Sequence, residues 1–219
     1  MKNWWYYHKW YAIGGIILLL ISFNLLSNYF GWFRQKPDFQ IAYIGKSALP
    51  DDTVSAIEKA FSSLADDYNH DGHIVIQVNQ YVTGDLNDNS ADTAEYRQAS
   101  ELRLLSDIND CESYFFLLED PETFQNQYQL LADSDGSCPA SSDYSASGKV
   151  LVWDTITPFN SMDLGTYEST LLGQKITGSN QEFLSSFYLG RRCFYTSAET
   201  ENTDGCDALW KKLSKKNNN

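Results

Sequence analysis

Between residues 39 and 153 the hydrophobic positions follow two alternating patterns. Phe39-Gln40-Ile41-Ala42-Tyr43-Ile44 is an almost unbroken apolar run closed by Gly45, which predicts a buried strand. Pro50-Asp51-Asp52 then places a proline and two acids where the first turn of a helix favours them. Val54, Ile57, Phe61, Leu64 and Tyr68 recur every three or four residues, one stripe of that helix. Ile74-Val75-Ile76-Gln77-Val78 predicts a second strand, and Ala99, Leu102, Leu105 and Ile108 give the face of a helix near 92–109. Tyr114-Phe115-Phe116-Leu117-Leu118 is continuous in apolar character, as a parallel strand buried on both faces requires. Asp120-Pro121-Glu122 starts another helix, with Asp as cap and Pro at the first position. Lys149-Val150-Leu151-Val152-Trp153 predicts a fourth strand. From Thr155 to Asn180 the pattern is lost, and Glu182–Tyr188 and Gly205–Lys216 read as helical again. The predicted fold class is α/β, a mostly parallel three-layer sheet with helices on both faces, preceded by a single transmembrane helix.

That transmembrane expectation rests on the N-terminal region. Tyr11 to Phe30 carries no charge, and twenty helical residues rise about 30 Å, the thickness of a hydrocarbon core. Trp4, Trp5, Tyr6, Tyr7 and Trp10 precede the stretch, and Tyr29, Trp32 and Phe33 close it, an arrangement suited to two headgroup interfaces. A cleaved signal peptide is the rival, but no small-residue cleavage site follows Leu26. Lys2 and Lys9 on one side against Arg34 and Lys36 on the other give a slight orientation bias. The expectation is a cytoplasmic N-terminus over 1–10, a signal-anchor over 11–31, a spacer over 32–38, an extracellular α/β domain over 39–210 and a basic, Asn-rich tail over 211–219. Its location is the cell membrane, single-pass, with the N-terminus inside and the C-terminal domain outside.

Charge narrows the partners. The whole chain of 219 residues has 16 Lys and Arg against 29 Asp and Glu, net −13. Residues 37–210 hold eight of the basic residues and all 29 acids, a net −21. Such a domain is unsuited to sequence-independent binding of nucleic acid and favours cations or cationic partners.

Asp67-Tyr68-Asn69-His70-Asp71-Gly72-His73-Ile74 matches the first eight positions of a calcium loop. Position 12, which should be a bidentate Glu, is Val78. Two readings stay open: a polar turn, or a weak calcium site at Asp67, Asn69 and Asp71 completed by a carboxylate from elsewhere. His70 and His73 bring no third ligand at zinc spacing. Gly45-Lys46-Ser47 has the ending of a phosphate-binding loop, but its first glycine is replaced by Gln40. No G-x-S-x-G, H-E-x-x-H or dinucleotide fingerprint is present, and adjacent Glu119 and Asp120 would point oppositely on an extended segment. The expectation is therefore no catalytic residue and no cofactor apart from the calcium alternative.

Four cysteines, Cys111, Cys138, Cys193 and Cys206, allow three pairings. In a parallel sheet Cys111 and Cys138 each precede a strand and fall at the same edge, which favours Cys111–Cys138 and leaves Cys193–Cys206. Free thiols are the alternative.

The run from Phe39 to Gln125, above all QVNQY at 77–81 and LLSDINDCESYFFLLEDPETF at 104–124, resembles one lobe of the type II extracellular solute-binding proteins. It is similar in layout also to bacterial membrane-anchored proteins with a short anchor and a small outer α/β domain. The resemblance covers about 90 residues, is one of pattern, and leaves room for one lobe where that family has two. It implies capture of a small polar ligand. In an open parallel sheet the crevice lies beyond the carboxyl ends of the strands. That edge would present Lys46, Ser47, Asn79, Tyr81, Glu119 and Asp154. The function expected is a membrane-anchored extracellular domain that binds a ligand or partner. The alternative is an accessory subunit of a membrane complex, with a wall-facing hydrolase behind both.

Overall fold

The computed structural model describes residues 2–30, 35–84, 91–140, 142–171, 174–195 and 199–215. It divides into two units, Met1–Lys36 and Pro37–Asn219.

The first unit contains helix α1, Lys2–Phe30. Ile16 to Ile21 are all exposed along it. Among the described residues, no helix is long and apolar enough to cross a membrane. The expected transmembrane segment over 11–31 and the single-pass location built on it are corrected accordingly. Trp32 and Phe33, and the side chains of Trp4, Trp5, Tyr6, Tyr7 and Tyr29, lie outside the described residues.

In the second unit, strand β1 (Phe39–Gly45) buries every residue except Gln40. Helix α2 (Asp51–Ser62) starts after Pro50, carries Asp51 and Asp52 in its first turn, and lays Thr53, Ala56, Ile57, Ala60 and Phe61 against the sheet. Strand β2 (Ile76–Val82) and helix α3 (Ala91–Asp110) follow. Cys111 ends α3 in the left-handed region, φ 53°, a turn usually left to glycine. Strand β3 (Ser113–Leu118) is buried throughout. Helix α4 (Pro121–Tyr128) is capped by Asp120, whose carboxylate accepts from the amide of Thr123 at 3.0 Å. The remaining elements are β4 (Val150–Val152), a short 3-10 turn at Trp153–Thr155, α5 (Thr157–Asn160), β5 (Thr166–Leu171), β6 (Gln174–Ser179), α6 (Asn180–Leu184), β7 (Tyr188–Arg191) and α7 (Thr203–Leu213).

The main sheet is mixed, which corrects the mostly parallel expectation. Its order is β2-β1-β3-β7-β4, with β1 parallel to β2 and to β3, and β7 antiparallel to both β3 and β4. Residues 182–188 were expected to be one helix; instead α6 stops at Leu184 and Tyr188 opens β7. Gly190 makes the insertion feasible, since a Cβ there would lie 2.5 Å from Leu131 Cδ2 and 3.4 Å from Val150 Cγ1. The patternless region holds a separate two-stranded hairpin, β5–β6.

Strand alternation divides the core in two. Phe39, Ile41, Tyr43, Phe115 and Leu117 face α2 and α7, together with Trp153 and Phe159. Ala42, Ile44, Phe116 and Leu118 face α3 and α4, through Leu104 and Phe124. Each fully buried aromatic side chain contributes roughly 2–3 kcal/mol by removal from water, so Phe61, Phe115, Phe116, Trp153 and Phe159 anchor the layers.

The cysteine pairing also changes. The disulfide joins Cys138 to Cys193, and Cys111 and Cys206 lie outside it. The cause is β7: running antiparallel, it brings its end to the edge where the other strands begin. There Leu131 bridges Arg192, and the Cys193 amide donates to Leu130 at 2.8 Å. Cys193 thereby reaches the loop that carries Cys138, a position a parallel strand would have placed at the opposite edge.

Candidate functional site: a crevice at the carboxyl ends of β1 and β3

Two strand ends meet at this site. β1 runs out through Gly45 into Lys46, and β3 runs out through Leu118 into Glu119, whose amide donates to the Ile44 carbonyl at 3.2 Å. The Glu119 carboxylate is half-buried and held from two sides. The Tyr43 hydroxyl donates to its Oε1 at 2.6 Å, and the Lys46 backbone amide donates to its Oε2 at 3.2 Å. Tyr43 reaches this position because it shares the α2-facing side of β1 with Phe39 and Ile41, and its ring stacks on Phe187 at 5.9 Å. Burial, then the Glu119 hydrogen bond and charge, push the Tyr43 phenol far above the ordinary tyrosine range. Tyr43 is therefore a protonated donor at neutral pH.

A cavity of about 350 Å³ opens beside this carboxylate, within the size range of small-molecule sites. Lys46, Thr83 and Asp120 supply its polar rim, and Ile44, Phe124 and Tyr128 its apolar wall. The wall is backed by ring contacts, Phe116 to Phe124 at 4.8 Å and Phe124 to Tyr128 at 5.2 Å. The Thr123 amide and hydroxyl hold the Asp120 carboxyl below the usual carboxylate range, with the Lys46 charge adding to the effect. The site thus offers fixed negative charge over an aromatic floor, with one exposed lysine at the mouth. A wider, 480 Å³ depression near His70, Thr200 and Asp204 lies along the first turn of α7 and has little apolar wall.

Of the residues expected at the strand ends, Lys46 and Glu119 come together here. Ser47 contributes only its carbonyl, which lies 2.8 Å from the Tyr43 hydroxyl. Asn79 sits mid-strand, because β2 begins two residues later than expected and runs on to Val82. Its amide donates to Gln40 at 2.6 Å and its Oδ1 accepts from Gln77 at 2.7 Å. Tyr81 is a core residue, 4% exposed, whose hydroxyl donates to buried Asp107 at 2.7 Å. Asp154 follows β4, which β3 and β7 separate from β1, and its carbonyl accepts from Asn160. Tyr43, Thr83, Phe124 and Tyr128 are site residues that strand-end reasoning passes over. Tyr43 was readable as the strand residue two before a closing glycine.

At the turn of the calcium alternative, the side-chain oxygens accept from the turn's own amides. Asp67 accepts from the amides of Asp71 and Gly72, Asn69 from Asp71, and Asp71 from His73, so these oxygens close the turn on its own backbone. Buried Asp38 braces it by accepting from the amides of Tyr68, Asn69 and Val75. Among the described residues, no group of three His, Cys, Asp or Glu is placed to hold a metal ion.

Comparison of the chain with protein-family models, with curated proteins and with solved structures found no match.

Proposed function

We propose that residues 37–215 form a ligand-binding domain whose site is the crevice between Lys46 and Glu119. The ligand class is a small organic molecule carrying an ammonium group beside an apolar body. The observation that carries this reading is the Glu119 carboxylate, fixed by Tyr43 and the Lys46 amide at the edge of an aromatic-walled cavity. A half-buried carboxylate whose geometry is set in advance binds a cation with little further ordering. The high net negative charge of the domain draws cations toward it. The Cys138–Cys193 disulfide suits an oxidising compartment.

Thermal-shift measurements on the full chain test it, with free amino acids, primary amines, sugars and dicarboxylates as probes. Ammonium-bearing compounds should raise the midpoint, because a ligand at a hundredfold its Kd stabilises the native state by about 2.7 kcal/mol. Glu119→Gln should remove that shift. A response to sugars or dicarboxylates only, unchanged in Glu119→Gln, would refute the assignment.

A further inference from the structure

The crevice continues past Tyr128. A second cavity of about 220 Å³ lies beside the first and is lined in part by Arg97, Glu101 and Leu104 of α3. The two cavities share Thr83, Gln127 and Tyr128, so these three residues form a waist between two chambers. The first chamber carries Glu119, Lys46 and the exposed Asp120, the second Arg97 and Glu101, and in each the charges differ in burial. In the first, Glu119 is half-buried and Lys46 exposed; in the second, Arg97 is half-buried and Glu101 exposed. The better-desolvated charge is worth more to a ligand, since solvent screens the exposed one. The effective pattern is an anion at one end, a cation at the other, and an aromatic ring with polar neighbours between.

From this arrangement we infer that the ligand is a short peptide with free termini, lying extended across both chambers. This inference rests on the reading of the first chamber given above. The terminal ammonium meets Glu119 and the terminal carboxylate meets Arg97, whose planar guanidinium matches a carboxylate in two parallel hydrogen bonds. A central side chain rests on the Tyr128 ring, which Phe124 supports from below. The Thr83 hydroxyl donates to the Gly45 carbonyl at 3.1 Å, which leaves its oxygen able to accept from a peptide N–H, and the Gln127 amide offers both a donor and an acceptor. A free amino acid held in the first chamber does not meet Arg97, which lines only the second, so two charges matched at opposite ends select for length.

Isothermal titration of the full chain decides this. The probes are Gly-Xaa-Gly tripeptides with Xaa as Phe, Leu, Ser or Lys, their N-acetylated and C-amidated forms, and free phenylalanine. The expected result is that at least one free tripeptide binds, and that acetylation or amidation each weakens it about tenfold or more. Arg97→Gln should weaken the free tripeptide to the level of its amide and leave the amide unchanged. Glu119→Gln should do the same for the acetylated form. If free phenylalanine binds as tightly as any tripeptide and Arg97→Gln changes nothing, the second chamber is not used; the peptide assignment is then overturned while the first-chamber reading stands. Absence of binding by every tripeptide overturns the peptide assignment, and absence by the amino acids and amines as well overturns both.

Discussion

The Tyr43 hydroxyl donates to the Glu119 carboxylate at 2.6 Å, and Gly45 lies against both groups. A Cβ on Gly45 would come within 2.5 Å of Glu119 Oε1 and closer still to the Tyr43 hydroxyl. The missing side chain at the end of β1 is thus what allows a phenol on one strand to orient a carboxylate on the next. Gly45→Ala should cost about 1–3 kcal/mol by overpacking, read as a lower urea midpoint with an unchanged slope. It should also abolish the amine-dependent thermal shift, whereas Gly72→Ala, which strains a left-handed position at φ 89° but does not line the crevice, should keep that shift.

Alkaline pH should unfold the domain in a way that Tyr43 partly controls. Burial, followed by their carboxylate partners, raises the phenol pKa of Tyr43, Tyr81 and Tyr114 in the folded state. A group with a raised folded pKa contributes stability that is complete below its unfolded value, about 10, and is lost as pH climbs above it. Tyr43 alone contributes a slope of up to about 1.4 kcal/mol per pH unit in that range. Chemical denaturation between pH 9 and 11 should show the decline, and Tyr43→Phe should make it shallower.

The sequence made parts of this arrangement readable. The strands β1 and β3 and the start of α4 were plain because their apolar runs are continuous and end on Gly45 and on the Asp120-Pro121 cap. Lys46 and Glu119 followed directly, since the residue after a buried strand emerges at its carboxyl edge. Strand β7 was hidden because Tyr188-Leu189-Gly190-Arg191 is short, contains a glycine, and buries a charged residue. Arg191 is accepted there because Asp207, the Ser134 carbonyl and the Trp210 ring surround it. Missing β7 also misplaced the disulfide. The β5–β6 hairpin is mostly exposed, so neither of its faces shows an apolar period. Tyr81 looked like a ligand residue because Ile74, which is exposed, was read as the start of β2.

Peptide mapping without reduction should recover one cross-link, Cys138–Cys193. The bridged residues are 55 apart in sequence, and closing a loop of that length restricts the unfolded chain by about 4 kcal/mol on the chain-entropy account. Reduction should lower the denaturation midpoint correspondingly. Cys206 is buried and its thiol is pushed up chiefly by that burial, so alkylation there should track global unfolding.

Asp107 is 1% exposed and collects the Tyr81 hydroxyl, the Ser113 hydroxyl at 2.6 Å and the Arg192 guanidinium at 3.6 Å. Asp107→Ala strands Arg192, itself 3% exposed, without its counter-charge. The expected loss is about 3–5 kcal/mol in urea denaturation, well beyond what an exposed pair such as Lys175–Glu168 would show.

Hydrogen–deuterium exchange on the full chain, with and without the ammonium-bearing compound that gives the largest thermal shift, tests the central claim most directly. Added protection should concentrate at residues 44–47, 83–84 and 119–128, the segments that line the first chamber. Protection confined to the depression near His70 and Asp204, or spread evenly over the domain, would contradict the assignment of the site to the crevice between Lys46 and Glu119.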